Sequence, residues 1–319
     1  MSCVSIAVFP LLEAPMKKAF DDIIGTISQV VFGKTHEVKL AITCLFAGGH
    51  LLIEDRPGIG KTTLAKALSR CLGLEFTRVQ YTSDMLPGDL LGVSIYEQQS
   101  GSFVFHKGPV FTQVLLADEI NRATPKTQSA LLEAMEEWQV TVEGKSYPLE
   151  KPFFVIATQN PLEQSGTYPL PESQLDRFLL RISVGYPDRK AERELLEKGD
   201  RKLVIENIKP VLDTERVMAI RNEIAKVHVS GPFFDYVQDV LEFTRNSIHF
   251  THGLSPRAGL AILHTTRSWA CLHGRDHVIP EDLQAVFPYI AGHRLQSRDT
   301  RAEYSFQQLR DLLMEVPVP

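Results

Sequence analysis

The sequence has few cysteines, and they show none of the paired spacings that mark disulfide or zinc frameworks. Its 319 residues include only Cys3, Cys44, Cys71 and Cys271. Cys44 and Cys71 lie in apolar segments with helical character, which is typical of reduced thiols inside a protein. We therefore expect no disulfides, and this cysteine usage favours a cytoplasmic protein.

Long apolar segments and dense positive charge are also missing. Residues 4–12 are apolar, but no basic residue precedes them and Glu13 and Pro15 follow, which fits neither a signal peptide nor a membrane span. The formal net charge is −5 and no Lys/Arg run occurs, so we expect no nucleic-acid partner and no membrane segment. Because a helical pattern begins at Met16, we expect residues 1–15 to be a leader outside the fold.

Between residues 33 and 187, short apolar runs alternate with helical patterns. This alternation predicts βαβ crossovers and an α/β domain with a parallel central sheet, preceded by an N-terminal segment at 1–32. A linker with a first helix is predicted at 188–210, and an all-helical domain at 211–319. The predicted strands are 50–54, 75–80, 113–117, 152–157 and 179–184, and the helices between them begin near Lys34, Thr62, Pro125 and Gln174. The later predicted helices are 189–198, 214–227, 232–246, 256–273 and 280–287.

Two segments of the α/β domain have the period-2 pattern of β-hairpins around turn residues. They cover residues 92–106, with a turn at Ser100-Gly101, and residues 138–149, with a turn at Glu143-Gly144-Lys145. We interpret both as insertions. The alternative is that each merely extends the main sheet.

A glycine loop joins the first predicted strand to a helix. Gly58 and Gly60 permit a tight turn whose N–H groups can point at phosphates, Lys61 can reach the phosphates, and Thr62 can hold magnesium. Asp55 stands where the usual pattern has a further glycine. The alternative is a plain glycine turn with a solvated Lys61. The predicted phosphate-binding residues are Pro57, Gly58, Ile59, Gly60, Lys61, Thr62 and Thr63.

An acid pair follows a later buried strand. Asp118 can complete a magnesium shell opposite Thr62, while Glu119 can orient and deprotonate the water that attacks a γ-phosphate. Such pairs also occur by chance where strands reach solvent, but the lysine loop in the same chain favours the catalytic interpretation.

Three further polar residues are candidates for the same chemistry. Asn160 ends the next strand at the sheet edge where ligands bind, and could bond the γ-phosphate or cap the turn before Pro161. Arg257 lies in the first turn of a predicted helix, where the helix dipole disfavours a cation, so it is either solvated or near an anion. Arg177 follows Asp176, and adjacent helical residues do not face each other.

These motifs together resemble the AAA+ ATPases and, within them, the MoxR-type family. The similarity runs from about residue 33 to residue 295, and Asp55 is similar to that family's own version of the loop. The segments that carry it are 50–62, 116–123, 131–137, 157–161, 168–172 and 174–178. The resemblance implies a P-loop AAA+ domain with β-hairpin insertions and an all-helical lid domain.

The resemblance also implies roles for the candidate residues. Asn160 would be sensor 1, Arg257 sensor 2 from the lid, and Arg177 an arginine finger acting on a neighbour's nucleotide, which implies a ring, expected to be a hexamer. Gln80 resembles a switch residue that restrains Glu119. The segment Val31, Phe32 and Gly33 resembles one that contacts adenine, although an ordinary helix-entry turn would have the same sequence.

We therefore expect an ATPase that uses ATP and Mg²⁺, bound between the α/β domain and the lid, to remodel a partner protein. In this family the usual partner has a von Willebrand factor A domain. Two alternatives remain: a small-molecule kinase on the same loop, and a binding protein that nucleotide merely switches. The spacings of His249 and His252, and of Cys271, His273 and His277, could suit a structural zinc, but no HExxH pattern or paired-cysteine site appears, so we expect solvated or capping histidines. Trp269 is expected in the core.

Overall fold

The computed structural model describes residues 14–99, 101–161, 166–199, 201–299 and 302–318. The strands are β1 Leu51–Glu54, β2 Phe76–Gln80, β3 Gly92–Glu97, β4 Ser102–Lys107, β5 Val114–Asp118, β6 Gln139–Val142, β7 Lys145–Pro148, β8 Phe154–Gln159 and β9 Leu180–Ile182. The α-helices are α1 Ala14–Ser28, α2 Thr35–Phe46, α3 Lys61–Cys71, α4 Pro87–Leu91, α5 Pro125–Glu137, α6 Glu172–Leu175, α7 Arg189–Lys198, α8 Lys202–Glu206, α9 Thr214–Ile224, α10 Gly231–Asn246, α11 Pro256–Leu272, α12 Pro280–Ala291 and α13 Phe306–Leu313.

Five parallel strands form the central sheet in the order β2-β5-β8-β1-β9. Its three inner strands, β5, β8 and β1, are buried almost throughout, as expected for a sheet covered on both faces. The five predicted strands are confirmed to within about two residues. The carboxyl ends of β1, β5 and β8, which carry the predicted site residues, lie at one edge of this sheet.

Both predicted hairpins are confirmed as separate two-stranded sheets. β3 pairs with β4 and β6 pairs with β7, each antiparallel and neither joined to the central sheet. The interpretation that they extend the main sheet is therefore wrong. Two half-exposed side chains of β3, Val93 and Ile95, and the more exposed Phe103 of β4 give the first hairpin an apolar surface.

Successive strand residues pack into two different apolar clusters. Leu51 and Ile53 of β1 face a cluster shared with α2, α3 and the later helices, whereas Leu52 faces one shared with α5. The first cluster runs without interruption from the sheet to α11 and α12, and it contains the predicted core residue Trp269. A hydrogen bond of 2.9 Å from Ser268 Oγ to Thr43 O adds a polar link between α11 and α2.

A few helices differ in length from the predictions. The helix predicted near Gln174 is present as the four-residue α6, and just beyond its end Arg294 donates to the carbonyls of Asp176 and Phe178. Helix α12 continues through Pro288 rather than ending before it. Helix α9 ends three residues earlier than predicted, before an isolated bridge of His228 with His277, and the second part of the chain is helical as predicted.

The short α4 and α8 and the C-terminal α13 were not predicted. Helix α1 begins at Ala14, within the last two residues of the predicted leader, and residues 1–13 lie outside the described residues. No helix in the described ranges is both long and apolar enough to cross a membrane.

Candidate functional site

The predicted phosphate loop lies between β1 and the first turn of α3. Gly58 and Gly60 have φ angles of 84° and 94°, a left-handed conformation that favours glycine. A Cβ at either position would meet no atom within 4 Å, so conformation rather than crowding requires glycine there. The buried Lys61 donates a hydrogen bond of 2.8 Å from Nζ to the carbonyl oxygen of Asp55, and Thr62 and Thr63 follow it in the same turn.

Asp55 has a structural role that a glycine could not fill. Its Oδ2 accepts hydrogen bonds from Ser183 Oγ at 2.9 Å and from Gly185 N at 2.6 Å. Its Oδ1 accepts one from Arg56 N at 3.0 Å. Its φ is not positive, so its backbone does not require glycine. The departure from the usual pattern therefore fastens the loop to the chain after β9.

The acid pair lies next to the loop lysine. Burial lowers the pKa of Lys61, while the negative charges of Asp118, Asp55 and Glu119 act to raise it. Glu119 has a φ of 57°, a strained value for a non-glycine residue that often marks functional positions. Thr158 supports both acids, since its hydroxyl lies 2.6 Å from Asp118 Oδ1 and accepts from Glu119 N at 2.9 Å.

Two residues of β2 complete the surroundings of the acid pair. Gln80 donates from Nε2 to Glu119 Oε2 at 2.8 Å, which is the contact expected of a restraining residue. Arg78 contacts Asp118 Oδ2 with Nη2 at 2.7 Å. Sequence reasoning missed Arg78, although a signal existed: it stands two residues before Gln80, so strand geometry puts it on the same face.

Magnesium suits the donors at this site. Thr62 and Asp118 offer oxygen ligands, which Mg²⁺ prefers. Across the described ranges, no group of three or more His, Cys, Asp or Glu could hold a metal by itself. A site with so few protein ligands fits an ion that is also held by phosphates and water. The lid histidines make local contacts: His273 Nδ1 lies 2.8 Å from Trp269 O, and His277 Nδ1 lies 2.9 Å from Asp276 Oδ1.

A cavity of about 200 Å³ lies beside the phosphate loop. Gly33, which has a φ of 67°, precedes α2 and packs so closely that an added Cβ would lie 2.8 Å from Ala191 Cβ. The guanidinium of Arg201 lies 4.9 Å from the ring centroid of Phe32. The cavity is lined by Val30, Val31, Phe32, Lys34, Gly58, Ile59, Gly60, Thr63, Gly185, Pro187, Ala191 and Leu195.

Among the described residues, none of the predicted lid at 211–319 lines this cavity, whereas α7 supplies Ala191 and Leu195 to its wall. The cavity therefore lies between the phosphate loop and α7. The expectation that nucleotide binds between the α/β domain and the lid stays a prediction. Asn160 directly follows β8 at the same sheet edge and is partly buried, and its role as sensor 1 stays a prediction.

The two candidate arginines meet at a different place. Arg177 Nη2 lies 2.8 Å from Glu136 Oε2, and Arg257 Nη2 contacts the other oxygen, Oε1. The anion expected near Arg257 is thus Glu136, at the end of α5. Asp176 does not pair with Arg177, because its Oδ1 accepts from Arg294 Nε at 2.6 Å.

Both arginines line a cavity of about 230 Å³ between the end of α5 and the start of α11. Buried His50 and the ring of Trp138 form part of its wall. Among the described residues, none lines both this cavity and the one beside the phosphate loop. The structure therefore brings Lys61, Asp118 and Glu119 together but sets Arg177 and Arg257 apart from them.

Known protein families match two parts of the chain. A model of the ATPase family associated with various cellular activities (AAA) matches residues 50–180, and an AAA lid domain model matches residues 242–312.

Individual relatives match over most of the chain. Protein YeaC of Bacillus subtilis is 41% identical over 92% of this chain and 92% of its own length. Chaperone MoxR1 of Mycobacterium tuberculosis is 40% identical over 84% of this chain and 73% of its own length. Protein MoxR of Methylorubrum extorquens is 32% identical over 92% of this chain and 93% of its own length. A crystal structure of a Cytophaga hutchinsonii protein superposes with a TM-score of 0.83 at 35% identity, covering 95% of both chains.

Proposed function

Because the chain belongs to the MoxR-type AAA+ ATPases, we propose that it hydrolyses ATP to ADP and phosphate with Mg²⁺ and thereby remodels a partner protein. The observation that carries this proposal is that Lys61, Asp118 and Glu119 lie together beside a loop whose glycines have a left-handed backbone conformation. This arrangement offers a phosphate site, a metal ligand and a base within one small region.

Each residue of this region has a separate proposed task. The loop N–H groups and Lys61 bind the β and γ phosphates, as at other loops that precede a helix. Thr62 and Asp118 would hold Mg²⁺, which when bound offsets charge on the phosphates. Glu119 orients the attacking water and accepts its proton, and Asn160 bonds the γ-phosphate or that water.

The cavity beside the loop supports a place for the adenine. Val31 and Phe32 offer apolar and aromatic surface, and Gly33 lets the chain turn tightly against α7. Such a mainly apolar pocket next to a phosphate site has the form of a nucleotide pocket.

Arg177 and Arg257 are proposed to act on the nucleotide of a neighbouring protomer. They sit together on Glu136 and line a cavity separate from the phosphate loop. Arginines that serve a neighbour's site fit a head-to-tail assembly, which forms a ring when its rotation closes. We propose a hexamer, in line with the family resemblance.

The proposed partner is a protein with a von Willebrand factor A domain, and the proposed compartment is the cytoplasm. One relative bears the name of a chaperone, which supports a remodelling activity. The exposed apolar side chains of the first hairpin, Val93, Ile95 and Phe103, give the protein a surface that such a partner could contact.

Phosphate release from wild type and from Glu119→Gln tests this function directly. We expect wild-type turnover and a loss of roughly 10²–10⁴-fold in the variant, since the general base is removed while ATP binding persists. Negligible turnover in both proteins, with intact binding and with the partner present, would instead support a nucleotide-gated switch. Recovery of partners on ATP-loaded Glu119→Gln protein would identify the client.

A further inference from the structure

Arg78 and Gln80 project from one face of β2 beside the acid pair. The parallel register sets Arg78 opposite Leu116 and Gln80 opposite Asp118 in β5. Residues two apart in a strand point the same way, so the two side chains can reach each other and the carboxylates at the end of β5.

Four side chains form a continuous hydrogen-bonded chain. Arg78 donates to Asp118 Oδ2 from Nε at 3.1 Å and from Nη2 at 2.7 Å. The same Nη2 lies 3.0 Å from Gln80 Oε1, and Gln80 Nε2 lies 2.8 Å from Glu119 Oε2. The proposed metal ligand is thereby connected to the proposed base through Arg78 and Gln80.

Only one orientation of the Gln80 amide satisfies this chain. A guanidinium only donates hydrogen bonds, and an ionised carboxylate only accepts them. Gln80 must therefore turn its oxygen to Arg78 and its NH₂ group to Glu119. Arg78 thus fixes the amide in the orientation that holds Glu119.

The same guanidinium lies against the carboxylate that a metal ion would use. Asp118 Oδ1 accepts from the Thr158 hydroxyl at 2.6 Å, and Oδ2 is held by Arg78. A divalent cation bound to either oxygen of Asp118 would lie a few Å from the guanidinium and repel it, because both carry positive charge. If Arg78 moves away from Asp118, its hydrogen bond from Nη2 to Gln80 Oε1 also weakens, and the Gln80 amide is less firmly oriented.

We propose that Arg78 is a positioning residue that makes the release of Glu119 from Gln80 depend on occupation of the metal position at Asp118. Glu119 stays bonded to Gln80 while Arg78 holds Asp118, and it becomes free to orient water once the metal position is filled. This inference rests on the proposed ATPase function, but its first test measures binding rather than turnover.

The first test measures the free Mg²⁺ concentration at which a fluorescent, non-hydrolysable ATP analogue half-saturates the protein. In Arg78→Met we expect this concentration to fall roughly fivefold, because the competing charge is gone. Arg78→Lys keeps the charge and should stay near wild type. The matched control is Arg122→Met, which removes an arginine 3.5 Å from Glu119 Oε2 rather than one bonded to Asp118, and should shift the value less.

The results separate this inference from the proposed function. An unchanged Mg²⁺ dependence in Arg78→Met, or equal behaviour of the Met and Lys variants, overturns the role of Arg78 while the ATPase proposal stands. Wild type that fails to bind the analogue at any Mg²⁺ concentration overturns both. Thermal melts of each variant show whether it is folded.

A second test asks whether Arg78 acts through Gln80. We expect Gln80→Ala to change kcat in the wild-type background but to change it less than about twofold in Arg78→Met, as coupled residues do in a double-mutant cycle. The same change in both backgrounds would show that the two residues act independently and would overturn the inference.

Discussion

Lys61 donates a hydrogen bond of 2.8 Å to the main-chain oxygen of Asp55, so the loop lysine contacts the residue that begins its own loop. A bound phosphate would offer the ammonium group a charged acceptor in place of this neutral one, and charge-assisted hydrogen bonds are the stronger kind. The lysine is therefore held within its loop, ready to exchange one acceptor for another.

We expect Lys61→Ala to weaken ATP binding by roughly 10²-fold or more, because the main cation of the phosphate site is lost. Titration with a fluorescent ATP analogue measures the change. Lys66→Ala is the matched control, since Lys66 lies on the same helix but is exposed. Equal affinities for the two variants would remove Lys61 from the site.

Asp55→Gly, which creates the usual loop pattern, should destabilise the protein rather than improve it. The change removes bonds to Ser183 Oγ and Gly185 N and adds backbone freedom to the unfolded chain, at a cost of about 1–3 kcal/mol. Urea unfolding measures the difference. Asp55→Asn keeps one oxygen acceptor and should lose less. A glycine variant as stable as wild type would show that these bonds contribute nothing.

Arg177→Ala should retain ATP binding and lose roughly 10³–10⁵-fold in turnover, as removal of an arginine finger does. Because Arg257 shares Glu136 with Arg177, the double variant with Arg257→Ala should lose less than the product of the single losses. Steady-state phosphate release measures all three. Arg193→Ala, at an exposed position of α7, is the control and should keep the wild-type rate. A near-normal rate in Arg177→Ala would contradict its assignment as an arginine finger.

His50 should make stability fall in weak acid. Burial lowers its pKa to about 4, while the unfolded chain binds a proton near the ordinary value of 6.5. The unfolded state therefore binds more protons between these pH values, and the free energy of unfolding falls as the pH drops from about 6.5 to about 4.

Urea unfolding of wild type and His50→Asn at pH 7 and pH 5 checks this expectation. The difference in unfolding free energy between the two should shrink by roughly 2 kcal/mol at the lower pH, since only wild type carries this histidine. His277→Asn, at an exposed position, should follow wild type. A constant difference across this range would mean that His50 is not kept neutral by the fold.

Much of the fold and part of the site follow from local sequence. The strand–loop–helix pattern at Lys61 and the acids after a buried strand involve neighbours in sequence, and the structure has both. Gln80 at Glu119 was also predicted. That prediction came from the family resemblance, because Gln80 and Glu119 are 39 residues apart. The resemblance indicated no partner for Arg78 or Glu136, and only the sheet order or helix packing brings these two residues to their partners. The contact of Asp176 with Arg294, 118 residues later, was likewise not predicted.

The unbroken apolar cluster from the central sheet to α11 and α12 has a mechanical consequence. Swinging the later helices away as a separate flap would expose that cluster to water, at a cost that rises by about 25 cal/mol for each Å² uncovered. In the proposed ring, a change at the nucleotide would cost less if the whole protomer tilted against its neighbours. It would then reach the neighbouring protomer through the proposed contact at Arg177 and Arg257, with each protomer moving as one rigid body.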